Sequence, residues 1–248
     1  MNRIVKQIPN FITSLNLASG SMAVIFALDG HLVWAGIFIC LAAVFDFLDG
    51  FSARLLKAYS EIGKQLDSLS DLISFGLAPA AILFTLLEFS MFEKNQPIYQ
   101  ITASWDQWLI LFSALIMPVL GAVRLARFNV SQADEPFFRG LPIPANGIFW
   151  ASVGLMLEVP RYQELFQAIF STRTLCVLGL FFSGMMVITM PMFSLKAKNL
   201  NIKENWYRYV FLFITLILLV TLNVYGLAIS ILTYILLNIG FYLAGIKY

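Results

Sequence analysis

The chain has 248 residues, of which 60% are hydrophobic and 12% charged, and its mean hydropathy is +0.82. Soluble domains carry roughly 25% charged residues, so the composition excludes an ordinary soluble domain and describes a polytopic membrane protein. A net charge of +2 with no basic run gives no footing for nucleic acid. In chain order, residues 1–9 alternate basic and apolar side chains around Arg3 and Lys6. They read either as a short amphipathic helix in the membrane interface or as a disordered tail. No small-residue cleavage site follows, so no removable signal is expected. Crossing the hydrocarbon takes about 20 apolar residues, and eight spans are expected: 11–29, 33–56, 69–91, 107–128, 145–159, 173–193, 207–224 and 226–246. The fifth is short. The last two form a tight hairpin or one broken segment around Asn223 and Gly226. The lone histidine, His31, falls in a polar turn, and Cys40 and Cys176 lie in apolar segments as small hydrophobes. There is no internal repeat, and residues 1–248 read as one membrane domain.

Basic residues orient it. With eight spans and an inside N-terminus, 13 of the 16 lysines and arginines fall on the inner side, leaving Lys94, Arg161 and Arg173 outside. The N-terminus is therefore expected in the cytoplasm. Trp105 and Trp108 flank the start of the fourth span as interfacial anchors.

Against this apolar background stand Asp46, Asp49, Asp67 and Asp71. A carboxylate at membrane depth is costly and is rarely kept without a partner and a task. Asp46 and Asp49 are i and i+3 on a helix, and Asp67 and Asp71 are i and i+4, so each pair shares a face. Folding the chain at Gly63 would bring the two faces together. Four carboxylates at one point require cations, and hard oxygen donors suit Mg²⁺ or Mn²⁺. Two such ions between carboxylates are an apparatus for phosphoryl transfer. The positive-inside orientation puts this constellation on the cytoplasmic face.

The spacing D-x2-D-G-x2-A-R-x8-G-x3-D-x3-D, filled by Asp46, Asp49, Gly50, Ala53, Arg54, Gly63, Asp67 and Asp71, resembles the signature of the CDP-alcohol phosphotransferase family. The resemblance implies an all-α membrane bundle in which an alcohol displaces CMP from a CDP-linked lipid with two divalent cations, Mg²⁺ or Mn²⁺. It implies that Asp46 and Asp67 bridge both ions, that Asp49 holds one and Asp71 the other, and that Asp71 is also the general base. Gly50 and Ala53 would let the nucleotide approach the backbone, or serve close helix packing. Arg54 would reach phosphate oxygens, or snorkel at a helix end. Gly63, Ser60 in the loop before it, and Asn10 and Thr13 resemble nucleotide-side positions. Asn10 after Pro9 also reads as a helix N-cap.

Three further stretches resemble the phosphatidylserine synthases of the family: Asp67 to Pro79, Arg124 to Asn129, and Phe138 to Gly147, where Ile143 and Asn146 depart from the small residues expected. This implies CDP-diacylglycerol and L-serine as substrates, with Arg124 or Arg127 on the serine carboxylate. Both arginines read equally as positive-inside charges or lipid-headgroup contacts. Pro142 and Pro144 predict a rigid, non-helical entry to the fifth span. Residues 10–193 would form the catalytic core and 194–248 two further spans. A homodimer in the cell's inner membrane, among its lipids, is the family expectation. Glycerol 3-phosphate or inositol phosphate as acceptor, and a cation transporter built on the four carboxylates, are the competing readings.

Overall fold

The structure is a computed structural model and describes residues 7–130, 137–158, 163–194 and 201–245. The proposed interfacial segment thus lies mostly outside the described residues. The first helix, α1 (Ile8–Leu28), begins with Pro9 in its first turn, where a missing N–H costs nothing. The N-cap is Gln7, so Asn10 sits inside the helix instead of capping it. Helix α1 ends on Gly30 at φ +85, where Gly30 N–H donates to Ala27 and His31 N–H to Phe26. That is a Schellman closure, and glycine supplies its left-handed residue. His31 is exposed on the turn, as the polar context implies. Helix α2 (Leu32–Leu55) runs back along α1.

The return from α2 differs from the expectation that the chain folds at Gly63. The chain reverses at Lys57, whose φ is 47, and Ser60 caps the next helix. Ser60 Oγ accepts from Gly63 N–H at 2.9 Å, so Ser60, the last residue of the loop, is the N-cap, and Gly63 is helical. Helix α3 (Glu61–Asp71) passes through a π-helical turn, Leu72–Leu77, into α4 (Ala78–Phe92). The three make one 32-residue apolar unit, starting eight residues before the span expected at 69.

Helix α5 (Trp105–Phe112) opens with a Ser104–Gln107 capping box and continues through a 3₁₀ turn into α6 (Ile116–Val130). Strand β1 (Phe137–Arg139) precedes α7 (Ile143–Leu155), whose N-cap is Pro142. Pro142 is thus the expected non-helical entry, whereas Pro144 already lies in the first turn of the helix, where its missing N–H is tolerated. A short helix, α8 (Gln163–Ile169), leads to α9 (Thr172–Val187). This helix stops six residues before the expected end of the sixth span. The chain becomes extended at Ile188 and forms β2 (Pro191–Phe193), which pairs antiparallel with β1, Phe138 opposite Met192. Helices α10 (Ile202–Leu222) and α11 (Val224–Leu243) form a tight hairpin at Asn223, φ 52, which settles the two readings of the last spans.

Among the described residues six helical segments are long and apolar enough to cross a membrane. The other two expected spans, α7 and α9, are shorter apolar helices of 13 and 16 residues. The protein is an all-α polytopic membrane bundle, with the β1–β2 ladder its strand content among the described residues. Helices α4 and α7 are the most completely buried, and Trp150 is fully enclosed. Small residues allow this density. A Cβ on Gly36 of α2 would stand 2.7 Å from the Ala151 carbonyl of α7, and one on Gly20 of α1 would stand 2.1 Å from Ser74 Oγ.

Candidate active site

The last turns of α2 carry Asp46, Asp49, Gly50, Ala53 and Arg54, and α3 carries Gly63, Asp67 and Asp71. Helix α3 packs on α1, which packs along α2, so α1 is the spacer that sets the two acidic faces toward each other. One oxygen each of Asp46, Asp49 and Asp67 lies within 4.8 Å of the others. An octahedral ion with oxygens at about 2.1 Å separates its ligands by roughly 3–4 Å, so small side-chain adjustments bring these donors to one cation.

Asp71 stands outside that triad but shares its cavity. A space of about 320 Å³ has Asp46, Asp67, Ser68, Asp71 and Arg124 among its lining residues. Asp71 Oδ1 and Arg124 Nε are each shut from solvent with no hydrogen-bond partner among the described residues. A buried carboxylate oxygen and a buried guanidinium N–H left in this state are costly unless a ligand completes them. Hard oxygen donors, a tight triad and an uncompleted oxygen beside it fit a divalent-cation site. The rest of the lining is mainly apolar, from Leu125, Phe128, Pro142, Pro144, Ala145 and Ile148 and from an aromatic flank of Phe193, Phe211 and Tyr234 with Ile231. The cavity therefore combines charged and apolar lining within one space.

Arg124 and Arg127, paired in the sequence, part company. Arg124 is buried and faces the cavity. Arg127 is exposed and donates from Nη1 to the Val187 carbonyl at 3.1 Å, at the C-terminus of α9. A cation there complements the helix dipole, and the structure does not bring Arg127 to the cavity. The small residues also divide. Among the described residues a Cβ on Gly50 would meet only Arg54 Nη1, at 3.7 Å, so no described helix packs against the face over Gly50. A Cβ on Gly63 would stand 2.7 Å from Asn10 Oδ1 and 2.9 Å from Ser60 Oγ, so Gly63, Asn10 and Ser60 meet where α3 begins beside α1. Thr13 is buried, donating from Oγ1 to the Pro9 carbonyl at 2.9 Å, while its own carbonyl accepts from Ser70 Oγ at 3.2 Å. It ties α1 to α3 at Ser70, one turn after Asp67 and next to Asp71.

Sequence reasoning missed the residues that complete this cavity. Asn129 Nδ2 donates to Ser68 Oγ at 2.9 Å, and Lys64 Nζ donates to the Asn129 carbonyl at 3.4 Å, which fastens α6 to α3. Ser68 adjoins Asp67, a signal available in the sequence. The aromatic flank gave none. It depends on Tyr234 OH donating to the Phe193 carbonyl at 2.7 Å and on Asn238 Oδ1 accepting from Phe193 N–H at 2.8 Å.

The comparisons agree with this geometry. A model of the CDP-alcohol phosphatidyltransferase family matches residues 6–183. The chain is 32% identical over 141 residues to a CDP-diacylglycerol–serine O-phosphatidyltransferase of Bacillus subtilis, covering 57% of this chain and 71% of that protein. It is 36% identical over 146 residues to a protein of the same description from Methanocaldococcus jannaschii, covering 59% of each. It is 36% identical over 143 residues to an archaetidylserine synthase of Methanothermobacter thermautotrophicus, covering 57% of this chain and 54% of that protein. The match thus spans little more than half the length of the archaeal relatives. The family model's residues 6–183 include the whole acidic hairpin and the helices that position it, and the chain belongs to the CDP-alcohol phosphatidyltransferase family.

Proposed function

We propose that the protein is an integral membrane phosphatidylserine synthase, transferring the phosphatidyl group of CDP-diacylglycerol to the hydroxyl of L-serine and releasing CMP. The observation that carries this is one cavity lined by Asp46, Asp67, Asp71 and a buried arginine, in a chain of this family. Two of the three relatives share one name and the third differs in the lipid part, but all three names contain serine, which favours serine as the acceptor.

Asp49 together with Asp46 and Asp67 would hold one divalent cation, and Asp71 with Asp46 and Asp67 a second, and such ions when bound neutralise the pyrophosphate and the charge developing on CMP. The open face over Gly50 admits the nucleotide to the α2 backbone, with Arg54 beside it for phosphate oxygens. Arg124 takes the serine carboxylate, completing its buried Nε–H. Asp71 accepts the proton of the seryl hydroxyl as that oxygen bonds to the lipid-bearing phosphorus. The bond from this phosphorus to the cytidylate oxygen breaks, and CMP departs with the electron pair. A carboxylate is a weak base for an alcohol, and the transfer works because the proton leaves as the new bond forms. The apolar part of the lining lets the lipid's glycerol end stand beside the charged groups while its acyl chains remain in hydrocarbon. The site would face the cytoplasm from the inner membrane, in a homodimer.

The test is CMP release by purified protein given CDP-diacylglycerol, Mn²⁺ or Mg²⁺, and candidate alcohols one at a time. Release with L-serine, lost in Asp67→Asn, is expected. Release only with glycerol 3-phosphate or inositol phosphate overturns the acceptor and keeps the reaction class. No release with any alcohol, from folded protein that binds divalent cations, favours cation transport.

A further inference from the structure

The π-helical turn directly after Asp71 has an identifiable cause in the chain. In a continuous α-helix the Phe75 carbonyl would accept from the N–H of residue 79, but residue 79 is proline. Proline has no N–H, and its ring crowds the carbonyl four residues back. The helix responds by widening over Leu72–Leu77, where Ala78 N–H reaches back five residues to the Ile73 carbonyl. The Phe75 carbonyl is completed from elsewhere. Asn146, fully buried on α7, donates from Nδ2 to it at 2.9 Å. A second polar tie holds the same turn from the opposite side. Ser74 Oγ donates to Asn16 Oδ1 at 2.7 Å and lies 3.1 Å from the Asn16 carbonyl, all of it buried on α1. Backbone proximity clamps the turn as well, since a Cβ on Gly147 would stand 2.6 Å from the Phe75 ring.

We infer that Asn146 is a positioning residue for phosphatidyl transfer: by replacing the hydrogen bond that Pro79 denies to Phe75, it fixes the π turn that aims Asp71 into the cavity. Each α-helical residue turns the chain by about 100°. A widened turn therefore sets the rotation of the acidic α3 independently of the buried α4. Without it, Asp67 and Asp71 could not keep their present facing while α4 keeps its core contacts. The inference rests on the reading of Asp71 as the base of a transferase, and wild-type turnover in the same assay reports on that reading separately.

The experiment compares Asn146→Ala and Pro79→Ala with Thr85→Ala. Thr85 lies on the same long helix and donates to the Ala27 carbonyl at 2.7 Å, a buried bond of the same kind remote from the cavity. Wild-type enzyme, Asn146→Ala, Pro79→Ala and Thr85→Ala are assayed for kcat, for KM of both substrates, for Mn²⁺ binding followed by electron paramagnetic resonance, and for Tm. Asn146→Ala is expected to lose about tenfold to a hundredfold in kcat, with KM and Mn²⁺ binding at the triad close to wild type. Thr85→Ala is expected to lower Tm with kcat unchanged. Pro79→Ala, which returns the backbone donor, is expected to hold or raise Tm while lowering kcat, a divergence that simple destabilisation does not produce. Should Asn146→Ala not be recovered folded, Ser74→Ala carries the same expectation. Wild-type kcat in both Asn146→Ala and Pro79→Ala, or a fall in kcat matched by Thr85→Ala, overturns the inference. An inactive wild type instead removes the transferase reading.

Discussion

Asp67 and Asp71 share one face of α3 but not one role. Asp67 belongs to the oxygen triad, whereas Asp71 offers a buried oxygen to the cavity beside it. Asp67→Asn is expected to weaken Mn²⁺ binding and abolish turnover together. Asp71→Asn is expected to abolish turnover and keep Mn²⁺ at the triad. Equal loss of metal in both variants would contradict the division. Gly50 and Gly63 separate in the same way. Alanine fits over Gly50 with only an ordinary contact to Arg54 Nη1 and favours the helix by about 0.5–1 kcal/mol. Gly50→Ala is therefore expected to keep or raise Tm while raising KM for the CDP-lipid, and an unchanged KM would remove the nucleotide from this face. Gly63→Ala crowds the Ser60 cap and is expected to lose about 1 kcal/mol of stability, read as a lower Tm. The four aspartates were legible in the sequence because a charge in an apolar run is conspicuous and helical spacing fixes its face. The separation of Arg124 from Arg127 was not legible, because it depends on where α9 ends, 60 residues away.

At the scale of elements, the helices were legible as apolar runs and their breaks less so. Gly30 announces the α1–α2 turn, and Pro142 announces the start of α7. The α2–α3 reversal is made by Lys57 in a left-handed conformation, a geometry that side chain rarely adopts, so the sequence pointed to Gly63 instead. The early end of α9 follows from β2, which exists only because β1 lies beside it. The π turn was hidden for a related reason. Pro79 is visible in the sequence, but within a long apolar run it reads as a kink. The partner that turns the kink into a fixed feature, Asn146, lies 71 residues away on α7. The departure of Asn146 from the small residues expected there was visible, without its meaning.

For the whole molecule, the family match ends inside α9, yet Phe211, Ile231 and Tyr234 of the α10–α11 hairpin line the cavity. The hairpin is part of the site, and substitutions there are expected to act on substrate use. Phe211→Ala, which enlarges the apolar flank, is expected to alter KM for the lipid more than Mn²⁺ binding. The orientation can be read directly. Tyr59 is exposed on the α2–α3 turn and Asn95 lies beyond the far end of α4. In Tyr59→Cys a membrane-impermeant maleimide is expected to react only from the cytoplasmic side, and in Asn95→Cys only from the other. The reverse pattern would place the site on the opposite face. The most direct measurement is transfer of radiolabelled L-serine into lipid by protein reconstituted with CDP-diacylglycerol and Mn²⁺, for wild type and for folded Asp71→Asn. Label entering phosphatidylserine with wild type and not with Asp71→Asn is the predicted result. Equal incorporation by the two, or CMP release with no label in lipid, would contradict the assignment of this cavity to phosphatidyl transfer.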